Sequence, residues 1–414
     1  MIDFSHRVKR LEVHADGQPS GQLLRESQYR FAYSAFARRP VALTMPVEDR
    51  EFTDTALFAA MDMNLPEGFL LRQIYERSPK QPPTEMHLLA LMGANGIGRL
   101  AYLRPEAGVT PAPAGLDRTR LLREGAGRDG QTFLQLVEAY LATGSGLSGV
   151  QPKIVVPERA TFPIPNLIVK CSGDDYPGLS ANEFLCLEVA QRIGLSVPRH
   201  ELSDDGALLV IDRFDLVEDG TRLGFEDVAA LMDLRVGGAL SNRKYRGSYE
   251  DVFAAITLFA DDKAATAREF FAYVALTVLL RNGDGHLKNF GVLYDDTRVW
   301  LAPVYDVVTT TVYPYDRAGV AVTDRTMALK LRKGRHTRAY PLRDELLAFG
   351  REVCGVQAPE QVIEAVCSAM SEVMHQHRSD ERIAPQLRDK LFSEWAGSMD
   401  WNVEPSQPRM GEAR

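Results

Sequence analysis

The sequence contains few cysteines, and their positions exclude several kinds of structure. Four occur in 414 residues, with no CxxC pair and no spacing typical of a metal site. A disulfide framework of the kind that holds small secreted domains together is therefore excluded. All four are interpreted as reduced core residues of a cytoplasmic protein: Cys171, Cys186, Cys354 and Cys367.

Long apolar runs are also missing. The best candidate, FFAYVALTVLL at 270–280, has the length of a core helix and is too short to span a bilayer. The first residues, MIDFSHRVKRLEVHADG, resemble neither a signal peptide nor a transit peptide. The sequence thus predicts a cytoplasmic protein without a membrane segment.

An excess of positive charge is absent as well. The net charge is −8, from 48 basic and 56 acidic residues, which argues against a surface built for non-specific nucleic-acid binding. The basic stretch LRKGRHTR at 331–338 is interpreted as a solvated loop. Apolar residues make up 45% of the chain, so a proper core is available, and the length suggests two or three domains.

Secondary-structure signals change along the chain. In residues 1–104, RLEVHADGQPSGQLL predicts a hairpin, FAYSAF and VALTMPV predict short strands, and NLPEGFLLRQIYER predicts a helix. Residues 105–130 have the Pro, Gly and Ala content of a connector. The elements predicted next are the helix QTFLQLVEAYLAT, the strands IVV and NLIVK, the helix ANEFLCLEVAQRIGL and the strand ALLVIDRFD. Helices predominate from about residue 222.

This order predicts an α+β fold with two lobes and a cleft between them. We expect an N-terminal β-rich subdomain at 1–110, a strand-rich lobe with a glycine loop at 111–215, and a helical lobe at 216–414.

The glycine loop is TGSGLSGVQPK at 143–153. Glycines allow backbone N–H groups to approach an anion closely, and a run of such groups can hold a phosphate. The GK[ST] signature of a Walker loop is absent. By itself the stretch is more typical of a flexible turn between a helix and a strand.

Two charged residues follow the loop. Lys170 ends the apolar strand NLIVK, and its ammonium could bind the phosphates of ATP if it faces a cleft. Glu183 lies 13 residues later, near the start of a helix, where a carboxylate can hold such a lysine in place. Taken singly, the two residues are also typical of an exposed strand end and of a helix N-terminus.

The stretch RNGDGHLKNFGVLYDD at 281–296 carries the most chemistry. Asp284 and Asn289 are five residues apart, which is the spacing in the catalytic loop of protein kinases, HRDxxxxN. There the aspartate accepts the hydroxyl proton and the asparagine helps to hold Mg²⁺. Asp306 follows in LAPVYDVV, where a second Mg²⁺ ligand is expected, and GVLYDDTRVWLAPV between them predicts a hairpin.

A metal hydrolase that uses Asp284 and His286 is the competing interpretation of this stretch. It would need further ligands, and no other His and Asp cluster has ligand spacing. His375 and His377 are two apart at a helix end and point to different faces. We therefore expect His286 to hold the loop backbone, and the order of all these parts favours a phosphotransferase of the kinase type.

In combination, the motifs SGVQPK, NLIVK, NEFLCLEVAQRIGLSVP, DRFD, NGDGHLKNFGVLY and LAPVYDVV resemble the HipA family of serine/threonine kinase toxins. The resemblance covers most of the chain, including residues 1–104 and MALKLRKGR at 327–335. It implies a two-lobed protein-kinase-like fold and catalysis with ATP and Mg²⁺. It also implies a helix-turn-helix antitoxin of the HipB type, contact with DNA only through that antitoxin, and an aminoacyl-tRNA synthetase as the protein substrate.

The resemblance also implies roles for single residues. Asp284 would be the catalytic base, Asn289 and Asp306 would bind Mg²⁺, and His286 and Lys288 would shape the catalytic loop. Lys170 would contact the phosphates, and Asp212 and Phe214 would lie at the adenine hinge. The nucleotide-covering loop at 145–153 would contribute Ser145, Gly146, Leu147, Ser148, Gly149, Gln151 and Lys153.

The chain departs from the family at one loop position. Gly146 occupies the place of the serine that the family often autophosphorylates, and Ser148 matches the second serine of an S-x-S arrangement. Ser148 is therefore the predicted autophosphorylation site. Two alternatives to a protein kinase stay open, a small-molecule kinase of the same fold and a pseudokinase that serves as an antitoxin-binding co-repressor.

Overall fold

The computed structural model describes residues 7–76, 78, 82–94, 96–105, 117–126, 153–156, 166–173 and 175–401. The predicted helix at 131–143 and the glycine loop up to Gln151 lie outside these residues. Among the described helices, none combines the length and the apolar character required to cross a bilayer.

The N-terminal part of the chain forms an antiparallel sheet with the strand order β4-β3-β2-β1-β5. The predicted hairpin is confirmed as the β1–β2 pair. The strands are β1 (Arg10–Ala15), β2 (Gln18–Arg25), β3 (Tyr29–Tyr33), β4 (Glu51–Asp54) and β5 (Leu100–Leu103). The helices that accompany this sheet are α1 (Ala59–Asp62), α2 (Gly68–Glu76) and α3 (Glu85–Met92), and a 3-10 turn spans Val47–Asp49.

A second antiparallel sheet has the order β6-β7-β9-β8. Its strands are β6 (Lys153–Val156), β7 (Leu167–Cys171), β8 (His200–Leu202) and β9 (Leu208–Asp212), and the neighbouring helices are α4 (Arg118–Glu124) and α5 (Leu179–Arg192). The predicted strands IVV, NLIVK and ALLVIDRFD and the predicted helix ANEFLCLEVAQRIGL are confirmed in these elements. Gly194 follows α5 with φ +80°, as expected of a helix-terminating glycine.

The C-terminal part is mainly helical around a small sheet of order β10-β11-β12. Its strands are β10 (Gly224–Asp227), β11 (Gly291–Tyr294) and β12 (Val299–Leu301). A separate hairpin consists of β13 (Tyr315–Arg317) and β14 (Val320–Val322). The helices are α6 (Val228–Leu231), α7 (Tyr249–Phe259), α8 (Lys263–Leu279), α9 (Arg343–Ala348), α10 (Pro359–Gln376) and α11 (Pro385–Met399). Shorter 3-10 or π turns span Gly238–Tyr245, Leu287–Asn289, Thr310–Val312 and Phe349–Val353.

The second sheet separates two apolar cores. Side chains alternate across a strand, so successive residues of β7 and β9 face opposite sides. Leu167, Val169 and Cys171 join the core of the N-terminal subdomain. Ile168 and Ile211 face the other way and join the core of α5 and the helical lobe. This alternation decides which lobe each polar side chain of the sheet can reach.

One prediction about local structure was wrong, and one segment is more regular than its composition indicates. VALTMPV at 41–47 is not a strand and forms only one isolated bridge, between Ala42 and Met45. A strand is disfavoured here because Pro46 lacks an N–H and because the Val41 N–H donates to the Tyr33 hydroxyl. The connector at 105–130 contains α4, whose first N–H groups donate to the carboxylate of Asp117.

Three of the four cysteines are buried and free, as expected of reduced core residues. Cys171, Cys186 and Cys354 are buried, whereas Cys367 is half-buried on α10. Burial raises the pKa of the Cys186 thiol to about 12, which makes it an unreactive core side chain.

Two histidines share one carboxylate where α5 meets the end of α10. Glu188 Oε1 lies 3.3 Å from His200 Nε2, and Glu188 Oε2 lies 4.0 Å from His377 Nε2. His377 Nδ1 lies 2.9 Å from Asp380 Oδ2. The adjacent imidazoles of His200 and His377 lower the pKa of Glu188 to about 2. Burial alone would lower the pKa of His377, but Glu188 and Asp380 outweigh it and raise that pKa above 6.5.

We expect His377 to stabilise the fold in mildly acidic solution and less at alkaline pH. Because its folded pKa is raised, its contribution is complete below pH 6.5 and declines as pH rises through the folded pKa. The contribution of Glu188 is complete above pH 4.5 and declines toward pH 2. In urea denaturation, His377→Gln should therefore cost about 1 kcal/mol more at pH 5.5 than at pH 8.5. The exposed His375→Gln is the control; a pH-independent loss for His377→Gln would contradict the prediction.

Candidate active site

Lys170 and Glu183 form a buried ion pair between β7 and α5. The alternation of β7 turns Lys170 to the same side as Ile168, toward α5, and Glu183 lies in the first half of that helix. The Lys170 ammonium donates to Glu183 Oε1, and both side chains are almost fully buried. Burial alone would lower the pKa of Lys170, but Asp306 and Glu183 outweigh it and raise that pKa, so Lys170 stays charged.

Asp306 completes this group from the segment after β12. Its Oδ1 accepts a hydrogen bond of 2.5 Å from the Lys170 ammonium, and its own N–H donates to Glu183 Oε1 at 3.2 Å. Asn182 holds the segment after Asp306, since its side chain both donates to and accepts from the backbone of Thr309 at 2.9 Å. Asp306 has φ +54°, a strained conformation for a residue with a side chain. The contacts of Asp306 with Lys170 and Glu183 hold it there.

The predicted catalytic loop, residues 284–289, follows α8 and leads into β11. The Asp284 N–H donates to Asn282 Oδ1 at 3.1 Å, and Asp284 Oδ1 accepts a hydrogen bond of 2.8 Å from the Tyr245 hydroxyl. The Asp284 side chain is 41% exposed, so its carboxylate is accessible to a substrate. At Gly283 an added Cβ would lie 2.6 Å from Thr310 Oγ1, so this turn requires glycine.

His286 lies in the loop beside Asp284. Its N–H donates to Asp284 O at 2.8 Å and to Asn289 Oδ1 at 3.1 Å, so the loop is braced through the peptide group of His286. The ring packs edge-on against Tyr245, with 5.2 Å between centroids, and Nε2 is 4.0 Å from Asp284 Oδ1. Burial, helped by the charges of Lys244 and Lys288, lowers the pKa of His286 well below its usual value. The imidazole is therefore neutral at pH 7.

Asn289 and Asp306 are positioned by one buried tyrosine. The hydroxyl of Tyr273, on α8, lies 3.0 Å from the carbonyl oxygen of Asn289 and 3.1 Å from that of Tyr305. The Tyr305 hydroxyl in turn donates to the carbonyl oxygen of Lys288 at 2.8 Å. The loop and the segment that carries Asp306 are therefore joined side by side.

Lys288 links the loop to the N-terminal subdomain. Its ammonium donates to Glu67 Oε1 at 2.6 Å, and the two side chains are 9% and 11% exposed. Burial alone would lower the pKa of Lys288, but Glu67 and Asp227 outweigh it and raise that pKa. Lys288 thus ties the loop to a partner that lies 221 residues away in the sequence.

The two predicted hinge residues have different surroundings. Phe214 stacks on Tyr305, with ring centroids 5.5 Å apart, and so lies beside the residue that precedes Asp306. Asp212 ends β9 on the face opposite Lys170, where its carboxylate pairs with Arg118 of α4. The structure does not bring the Asp212 side chain to the Lys170 group, so an adenine contact at this position would use its backbone.

The residues predicted to cover the nucleotide are only partly described. Ser145, Gly146, Leu147, Ser148, Gly149 and Gln151 lie outside the described residues. Lys153 begins β6 directly opposite Lys170 in the β6–β7 register. The chain therefore enters the sheet beside Lys170 immediately after the predicted loop.

Family models match both parts of this chain. The model of the HipA N-terminal domain matches residues 11–103, and that of the HipA-like C-terminal domain matches residues 145–376. The second match alone spans more than half of the chain. The chain belongs to the HipA family. Its resemblance to that family, predicted from the motifs, is confirmed.

Individual relatives and a solved structure agree with this assignment. The chain is 28% identical over 265 residues to the Sinorhizobium fredii protein named "Putative kinase Y4dM", covering 60% of this chain and 61% of that protein. It is 28% identical over 186 residues to a Haemophilus influenzae protein named "Putative kinase", covering 41% and 54%. The chain thus spans little more than half the length of these two relatives.

The solved structure is from the Shewanella oneidensis MR-1 toxin–antitoxin system, a complex of HipA, HipB and operator DNA. It matches with a TM-score of 0.69 at 16% identity, over 95% of this chain and 100% of that chain. This likeness confirms the predicted α+β, two-lobed kinase-like fold.

Several site residues were missed by sequence reasoning. Glu67 was noted only as part of a helix start, and Tyr245 and Tyr273 carried no motif. Each acts on the catalytic loop or its neighbour from an element far away in the chain. Comparison of the NLPEG segment among HipA-family sequences is the signal that could identify Glu67. A lone tyrosine gives no such signal, because it is typical of core packing.

Proposed function

We propose that this HipA-family protein is an Mg-ATP-dependent serine/threonine protein kinase. The observation that carries the proposal is the buried group of Lys170, Glu183 and Asp306. A lysine on a strand, paired with a helix glutamate and adjacent to an aspartate that follows a hairpin, is the arrangement that kinases use to bind ATP phosphates and metal. Asp284 lies on the loop that leads into the same hairpin, accessible to a hydroxyl substrate.

The chemistry of these side chains fits magnesium and a nucleotide. Mg²⁺ prefers hard oxygen ligands, and Asn289 and Asp306 supply an amide oxygen and a carboxylate. Lys170 supplies a fixed positive charge suited to phosphate oxygens. When bound, Mg²⁺ would neutralise charge that develops on the phosphate oxygens during transfer.

Asp284 would act as the base in an in-line displacement. The oxygen of a serine or threonine hydroxyl forms a bond to the γ-phosphorus, and the bond from that phosphorus to the β,γ-bridging oxygen breaks. The hydroxyl proton passes to the Asp284 carboxylate, and the electron pair of the broken bond stays on ADP. Burial and the charge of Asp284 raise the pKa of Tyr245, so its hydroxyl stays protonated and orients Asp284.

We take the substrate and the partner in this proposal from the HipA family. We propose an aminoacyl-tRNA synthetase as the protein substrate, with inhibition of translation and growth as the result, and Ser148 as a second, internal acceptor. The complex of the Shewanella HipA with HipB and operator DNA supports a HipB-like antitoxin as partner. Contact with DNA would then go through that antitoxin.

Binding and transfer assays test the kinase proposal. We expect Mg-ATP to raise the melting temperature by several degrees, because a ligand that binds only the folded state stabilises it. Incubation with γ-labelled ATP should label the protein or an added synthetase, with Mg²⁺ required, and phosphopeptide mapping should find the internal phosphate at Ser148. A protein that binds no nucleotide would favour the co-repressor alternative, and transfer only to metabolites would favour the small-molecule kinase.

A further inference from the structure

Among the described residues around the predicted catalytic loop, two lysines are held by carboxylates. Lys170 donates to Glu183 and Asp306, and Lys288 donates to Glu67. With Asp284, these residues place two ammonium groups against four carboxylates. This group is negative overall, yet the proposed reaction requires it to receive the phosphates of a nucleoside triphosphate.

Lys244 is the additional cation beside this group. It lies in the 3-10 turn Gly238–Tyr245, and the residue is only 7% exposed. In the part of the chain that the structure describes, no carboxylate lies within 4.0 Å of its ammonium. Most of the side chain is covered by protein, and its positive charge is not neutralised by a carboxylate of the described residues. Such a group is typical of a binding site that awaits an anionic ligand.

The surroundings of Lys244 place it at the base end of the site. Its Nζ lies 5.4 Å from the ring centroid of Tyr245. The Tyr245 hydroxyl donates to Asp284 Oδ1 at 2.8 Å, and its ring contacts His286. The charge of Lys244 is also close enough to lower the pKa of His286. Lys244 is therefore near Asp284, where a substrate hydroxyl and the γ-phosphoryl group would meet.

We propose that Lys244 binds the γ-phosphoryl group of the nucleoside triphosphate and stabilises it during transfer. This inference rests on the proposed kinase function. Lys170, which contacts Asp306, would hold the inner phosphates, so each lysine would bind a different part of the triphosphate. A lysine ammonium suits this role because it is a compact point charge.

Calorimetric titration with Mg²⁺ and two nucleotides distinguishes binding of the γ-phosphoryl group by Lys244 from an equal effect of Lys244 on every nucleotide. AMP-PNP, which carries a γ-phosphoryl group, should bind Lys244→Met about ten- to a hundredfold more weakly than wild type, the loss expected for one charged hydrogen bond. ADP should bind both proteins within about twofold. Lys244→Arg should retain most of the AMP-PNP affinity, and the exposed Lys390→Met should match wild type.

The kcat and the melting temperature of Lys244→Met are the remaining measurements. Lys244→Met should lower kcat by about a hundredfold while leaving the melting temperature of the nucleotide-free protein equal to wild type or higher. Equal losses for ADP and AMP-PNP, or unchanged AMP-PNP affinity and kcat, would overturn the role of Lys244, as would a defect confined to the KM of the protein substrate. If wild type binds neither nucleotide, the proposed function itself fails, and the two failures are thus distinguishable.

Discussion

Replacing Asp306 with alanine is expected to lower phosphoryl transfer by about 10³-fold or more, because metal neutralisation of the phosphate charge is lost. The protein should stay folded. In wild type the Lys170 ammonium contacts both Asp306 and Glu183, so after the substitution this buried cation still has a carboxylate partner. Alanine tolerates φ +54° less well than aspartate, so a modest loss of stability is expected.

Comparison with Asp284→Ala makes this prediction specific. Loss of the base should lower transfer by about 10²–10⁴-fold but leave Mg-ATP binding near that of wild type. Asp306→Ala should weaken Mg-ATP binding clearly more than Asp284→Ala does. Transfer rates with labelled ATP and thermal shifts with Mg-ATP measure both quantities, and Asp389→Ala, at an exposed position on α11, is the control. Full activity of either site variant would refute the assignment of these residues.

Replacing Glu67 with alanine is expected to destabilise the protein by about 3–5 kcal/mol, the cost of leaving one buried charge of an ion pair without its partner. Lys288 and Glu67 are both nearly buried, and their ion pair joins the catalytic loop to the N-terminal subdomain. Asp227 also favours the charged form of Lys288. Kinase activity should fall as well, since the backbone of Lys288 is next to Asn289.

Two matched variants test the cause of this effect. The double variant Glu67→Met with Lys288→Met should recover much of the lost stability, because it removes both charges and keeps the volume filled. Glu51→Ala breaks an exposed pair with Arg30 in the same subdomain and should change the stability little, because water screens exposed ion pairs. Urea denaturation of the four proteins provides the comparison. A loss for Glu67→Ala no larger than that for Glu51→Ala would show that the buried pair does not join the two parts.

Local pattern predicted most elements that carry the site. The hairpin after Asn289, the strand that ends near Lys170 and the helix that carries Glu183 all lie where their periodicity or turn residues place them. The pattern failed where a tertiary contact competed with it: in VALTMPV the Tyr33 hydroxyl takes a backbone N–H that a strand would use. It failed again at α4, where the Asp117 cap outweighs a composition that resembles a connector.

Some features of the candidate site residues depend only on local sequence, and others depend on how the elements pack. The spacing from Asp284 to Asn289 is a local property and needs only the sequence. The distance between Lys170 and Asp306 depends on how a sheet, a helix and a hairpin pack together, and the structure shows their contact across 136 residues of sequence. Asp212 was predicted near the adenine but ends its strand with its carboxylate on the other face, toward Arg118.

By itself, the sequence determined the fold class, the family resemblance and the order of the catalytic parts, because these depend on periodicity, turn residues and short spacings. Only the tertiary structure decided that Glu67 holds Lys288, that Tyr245 orients Asp284 and that Lys244 lies beside them without a carboxylate partner in the described part of the chain. The physical reason is that ion pairing and burial act through space. Residues far apart in the chain meet when elements pack, and no local pattern encodes which of them will meet.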